Sequence, residues 1–186
     1  MTTSSSPSSN STRSSRGLPR AAALAVAAAV ALGALAGCVP TPNIAVQAGD
    51  QRVSMDTFQA DVDACSSLAN SDTMSPRQII ATTVTQGAVG EELLARSGRT
   101  LTTAQRDAVM QQNNLTALNA NPTCREMGRR LAALYAVAQT SDQATVLKQI
   151  NSLDIQVNPR LGRWYPEQLA VAGSSSLSSL WAGPRS

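Results

Sequence analysis

The sequence predicts a mainly α fold: a bundle of four or five helices with a small β-sheet formed by an N-terminal hairpin and a late C-terminal strand. Three observations carry this. Apolar residues recur at helical spacing across most of the interval from Met55 to Ile150. Cap-and-proline signals at Ser75-Pro76 and Asn121-Pro122, and a Thr102-to-Gln105 box, divide that interval into segments. Strict apolar alternation is confined to its two ends, near Ile44 and near Val157.

In chain order, Ile44, Val46 and Ala48 alternate with neighbours as a short strand. Gly49-Asp50 turns the chain, and Arg52-Val53 starts a short returning strand. Ser54 is placed to cap a helix near 55–69 that buries Phe58, Val62, Cys65 and Leu68. Ser75-Pro76-Arg77-Gln78 opens the next helix as a capping box with proline in the first turn. Its broad apolar face runs from Ile79 to Leu94, and Gly98 closes it. The box at Thr102 starts a Gln- and Asn-rich helix expected to reach about Leu118. Asn121-Pro122 starts a helix with Cys124, Met127, Leu131, Leu134 and Ala138 on one stripe. A short helix follows through Val146, Leu147 and Ile150. Leu153, Ile155 and Val157 then alternate as a strand that Asn158-Pro159 ends. Strands this short do not stand alone, so the late strand is expected to pair with the early hairpin. No internal repeat at a fixed period is found.

The leader has its own pattern. Residues 2–16 are Ser/Thr-rich, and Arg16 to Arg20 is basic. An Ala/Leu/Val run from Ala21 to Ala36 ends in Leu35-Ala36-Gly37-Cys38. A basic region, a short apolar region and small residues before a cut site describe a secretory signal over 1–37. The ending resembles the lipobox of bacterial lipoproteins. That resemblance implies cleavage between Gly37 and Cys38 and diacylglycerol on the Cys38 sulfur, with palmitate-type chains anchoring the protein at the membrane. The competing reading is an uncleaved membrane anchor, for which a run of about 16 mostly Ala residues is short and weakly apolar. Residues 38–43, with Pro40 and Pro42, form a stiff tether.

Lipidation would use Cys38 and leave Cys65 and Cys124 as a pair in an oxidising compartment. A disulfide is the preferred reading; two separate buried thiols are the alternative.

Composition excludes much. The 186 residues include no His, 15 Lys+Arg and 12 Asp+Glu. There is no Ser-His-Asp triad, no Cys-His pair and no His-containing zinc site. The whole surplus of +3 lies in Arg13, Arg16 and Arg20, so the body from Cys38 onward is neutral. A neutral body lacks the footprint for phosphate backbones, and no nucleic acid is expected. Arg125, Arg129 and Arg130 read as a solvated helix face rather than an anion site. No Gly-rich phosphate loop is present. Candidate catalytic acids are Asp56, Asp61 and Asp63 on one helix and Glu91-Glu92 on another, and they answer helix dipoles more simply than they make a site. No enzyme activity, no cofactor and no metal are expected.

The stretch Ile44-Ala45-Val46-Gln47-Ala48-Gly49-Asp50-Gln51-Arg52-Val53-Ser54 resembles the opening of SurA-like N-terminal domains. Val157-Asn158-Pro159-Arg160-Leu161-Gly162-Arg163-Trp164 resembles the segment closing such domains in actinobacterial lipoproteins, where an aromatic often replaces Leu161. The resemblance covers roughly 44–165 and leaves 166–186 as a tail. It implies a helical chaperone-like domain that holds unfolded or exported polypeptides outside the cytoplasm. Many members add a parvulin-type isomerase domain; only about 20 residues follow Trp164 here, so isomerase activity is not expected. The family supplies no catalytic residues to carry over. An apolar groove, with Met55, Met74, Met110 and Met127 as adaptable side chains, would be the binding surface. The alternative is a structural lipoprotein with one cell-envelope partner. The tail from Gly173 to Ser186 is Ser-rich yet carries Leu177, Leu180 and Trp181, which would dock on the domain, bind a partner or form a loose end.

Overall fold

A computed structural model describes residues 43–173, which fall within one unit of the chain. Residues 1–42, on which the expected signal, the expected lipid site at Cys38 and most of the expected tether fall, lie outside the described residues, as does the tail from 174.

The described residues contain five helices and two small sheets. Strands β1 (Ile44–Ala48) and β2 (Gln51–Ser54) form a hairpin. Helices α1 (Met55–Cys65), α2 (Pro76–Arg96), α3 (Thr103–Gln112), α4 (Pro122–Thr140) and α5 (Gln143–Asn151) follow. Strand β3 (Ile155–Val157) returns to the hairpin, and β4 (Arg163–Tyr165) pairs with β5 (Ala170–Ala172). The first sheet has the order β2-β1-β3, antiparallel throughout, with Val46 opposite Val157 and Ala48 opposite Ile155. The late strand thus joins the early hairpin, as the sequence predicts. Asn158 fastens the junction: its backbone N–H donates to Ala45 O (2.8 Å) and its Nδ2 to Ile44 O (3.0 Å).

The helix starts follow the sequence signals. Ser54 accepts from the Thr57 N–H, Asn121 from Thr123 and Asp142 from Thr145. Thr102 and Gln105 make both halves of a capping box. At Ser75 only one half forms. Ser75 accepts from the Gln78 N–H, while the Gln78 side chain reaches away to Val171 O.

Three boundaries differ from the sequence reading. Helix α1 stops at Cys65, continues as a 3-10 turn over Ser66–Leu68, and leaves Leu68 exposed. Helix α3 stops at Gln112 rather than near Leu118. Asn114 adopts φ 58°, its N–H donates to Gln111 O, and Leu115 N–H donates to Met110 O. This is a Schellman termination with asparagine in the place usually taken by glycine. The body also extends past residue 165, because β5 pairs with β4 and buries Val171 completely. Each of these strands has three residues, too few for alternation to register in the sequence.

Helices α2 and α4 form the axis of the core. Their backbones approach at Gly87 and Gly90. A Cβ on Gly90 would overlap Leu134 N and lie 2.7 Å from Leu134 Cα. Val84, Ala88, Leu93 and Leu94 of α2 belong to the same buried core as Met127, Leu134 and Val137 of α4. Ala138, expected on the α4 stripe, is exposed near the helix end. Val109 and Met110 form a smaller cluster with Ala132 and Ala136 on the other side of α4.

Candidate binding cleft

The early termination of α3 has a structural consequence. Beyond Asn114 the chain crosses the helix ends as a loop and a 3-10 turn (Thr116–Ala120), and the layer beside α2 and α4 is left incomplete. The resulting cleft has a volume of about 240 Å³. Ile79, Ile80 and Thr83 of α2 form one wall, and Met127 and Leu131 of α4 form the back. Leu115, Ala117 and Leu118 form the opposite lip with Asn114, and Leu68 and Ala69 frame the near edge. Apart from Thr83 and Asn114 the lining is apolar or sulfur-bearing. The Thr83 hydroxyl already donates to Ile79 O (3.0 Å), so it adds little polarity to the wall.

Cys65 also lines the cleft and is bonded to Cys124, with Cα atoms 5.6 Å apart. Both residues are buried. The bond ties the end of α1 to the start of α4 and fixes the cleft floor.

The methionines separate. Among the described residues Met127 is the methionine that lines the cleft; Met110 is buried in the smaller cluster, where its side chain lies against Gly128. Met55 packs partly buried on the core, and Met74 is exposed.

The candidate acids do not converge on a site. Asp61 is buried in the body, and its Oδ2 accepts from Arg130 Nη2 at 2.6 Å. Burial raises its pKa, and the Arg130 charge and hydrogen bond only partly oppose this. Glu91 is held by both Nη atoms of Arg106. Glu92 is buried, accepts from Arg96 Nε (2.8 Å), and accepts from the Asp50 N–H (3.2 Å) at the β1–β2 turn. That turn needs Gly49, whose φ is +56° and whose absent Cβ leaves room for the Glu92 carboxylate. Asp56 and Asp63 are exposed. Among the described residues no group of three His, Cys, Asp or Glu side chains is placed to hold a metal ion.

The arginine cluster is likewise divided. Arg130 serves Asp61. Arg129 makes a fork to Asp107 (2.7 and 2.9 Å), whose pKa is lowered by that hydrogen bond first and by nearby charge last. Arg129 also lies beside Glu126, and Arg125 donates to Asn119 O. A polar groove of about 380 Å³ lies among Asp107, Gln111, Asn119, Arg125 and Arg129. Its two cations face Asp107 within the groove and Glu126 at its side, so no net field draws an anion.

The cleft residues were visible in the sequence as apolar positions, but not as a site. The helix opened at Thr102 reads as continuous to about Leu118, which places Leu115 within it rather than on a lip. The one local signal of a break is Asn113-Asn114, a pair that tolerates left-handed backbone. Among the described residues no helix is long and apolar enough to cross a membrane. Comparison with protein-family models, with curated proteins and with solved structures finds no match.

Proposed function

We propose that this chain is a lipid-anchored, extracytoplasmic binding module, without enzymatic activity, that holds apolar side chains of an unfolded or exported polypeptide. The cleft is the observation that carries this reading. It is open, apolar and backed by the flexible side chain of Met127. An enclosed volume of roughly 150 Å³ admits one benzene ring. The cleft therefore takes one large or two small side chains, not a folded element. Burying one such side chain contributes about 1.5–3 kcal/mol, which alone corresponds to affinity weaker than about 1 mM. Weak contact with fast release suits passive holding, and it tolerates sequence variety. The anchor reading rests on Leu35-Ala36-Gly37-Cys38, and the SurA-like reading on the two terminal motifs.

The test is aggregation suppression by the mature chain, residues 38–186, across several unfolded exported proteins, with A117E as the control. Ala117 is exposed at the lip, so a carboxylate there charges the mouth at little cost to folding. Suppression across clients, lost in A117E, is the expected result. A flat response, unchanged by A117E, sinks the reading. The small volume also favours a second reading, one cell-envelope protein presenting a single anchor residue. A flat client response with one partner crosslinked from position 117 would select it.

A further inference from the structure

We infer that the cleft is occupied in cis by the chain's own segment 174–186, with Trp181 as the one large side chain in the cleft and Leu177 and Leu180 against the apolar edge at Leu68 and Met74. This rests on the reading of the cleft as a site for apolar side chains. The direction of β5 carries the argument. Gln86 Nε2 donates to Leu169 O (2.8 Å), Val171 N–H donates to the Thr82 hydroxyl (3.0 Å), and Gln78 Nε2 reaches Val171 O (3.5 Å). Three side chains one turn apart on α2 therefore grip β5 and lead it toward the start of that helix.

The chain leaves Val171 beside Gln78 and Thr82. The next ridge of α2 carries Ile79 and Thr83, the cleft wall. On a helix about 10–12 Å across, the step between these ridges is roughly 10 Å. The six residues from Val171 to Leu177 span up to about 20 Å. Met74 and Leu68, both more than a third exposed, lie before α2 and at the cleft edge. They leave apolar surface along this route. Leu177 and Leu180 precede Trp181 by four residues and one, close enough in the chain to meet that surface while Trp181 enters the cleft. The Ser residues between 174 and 179 form a linker-like run. A short tether gives an effective concentration on the order of millimolar, so a weak cis contact competes with dilute clients.

The experiment reads Trp181 directly. Acrylamide quenching of the mature chain, with the W181F chain subtracted to remove Trp164, is compared with the free peptide 174–186. Trp181 should be shielded in the mature chain and as accessible as in the peptide once A117E charges the cleft. Equal accessibility in the unmodified chain overturns the inference, and so does shielding that A117E leaves unchanged. A photo-reactive phenylalanine at position 181 gives a second measurement that needs no cleft variant. Crosslinks to Leu68, Thr83 or Leu118 support the inference, and crosslinks confined elsewhere overturn it.

Binding of reduced, carboxymethylated α-lactalbumin separates this inference from the reading beneath it. In the L177S/L180S/W181S chain, affinity for this unfolded probe should rise about tenfold if the segment fills the cleft nine-tenths of the time. Release of Trp181 by A117E without such a rise supports the cis contact and counts against polypeptide holding. Probe binding that A117E abolishes, with Trp181 exposed throughout, does the reverse.

Discussion

The two halves of α2 meet their surroundings in opposite ways. The C-terminal half, from Gly87 to Glu92, is packed to backbone contact with α4, and Glu92 is locked to the hairpin turn. The N-terminal half, at Ile79 and Thr83, walls an open cleft. The same helix is filled at one end and unfilled at the other. The difference lies in its neighbours: two glycines admit α4 closely at one end, and an early Asn114 turn withdraws α3 from the other. Rigidity at the closed end is what allows the open end to keep its shape.

The largest expected effect comes from removing the covalent floor of the open half. Converting both Cys65 and Cys124 to Ala, 59 positions apart in the sequence, should lower stability by about 4 kcal/mol on the loop-entropy estimate. Urea denaturation measures this. A loss below about 1 kcal/mol would mean packing alone holds α1 against α4.

The closed half is broken by one methyl group. G90A should cost about 2–3 kcal/mol, because the neighbouring atoms are Leu134 backbone and cannot rotate away. A shift in urea midpoint near zero would show that α2 and α4 separate easily.

The open half should accept added volume that the closed half refuses. T83L fills cleft space and should change stability by no more than about 1 kcal/mol, in the stabilising direction, while reducing client binding. A thermal scan beside G90A makes the contrast direct. If both substitutions destabilise equally, the cleft is not open space.

The smallest effect concerns Asp61. Its folded pKa is raised, so the folded state holds the proton more tightly than the unfolded state does. The stability contribution is present at low pH and is lost as pH rises through the folded pKa. The stability difference between the natural chain and D61N should therefore fall as pH increases from about 3 toward neutrality. The opposite slope would mean that Arg130 outweighs burial.

The legible and illegible parts divide along physical lines. The caps at Ser54, Thr102 and Asn121 are local hydrogen bonds between neighbours in sequence, so their residue types announce them. Pairing of the late strand with the hairpin was legible because short alternating strands need partners. The Asp61 ion pair was not legible, because Arg130 is 69 residues away, although the spacing from Phe58 to Cys65 puts Asp61, unlike the exposed Asp56 and Asp63, on the buried stripe. The β4–β5 hairpin was missed because its stability comes from Val171 and the α2 side chains, not from its own three-residue strands.

The sequence by itself determined the helical class, the position of most boundaries and a plausible cysteine pair, since periodicity and caps act within a few residues. Only the tertiary structure decided that α3 stops at Gln112, that Gly87 and Gly90 admit α4, and that a cleft lies between them and the loop. A cleft is space left where elements do not meet. Its existence depends on how distant surfaces pack, which no local run of residues encodes.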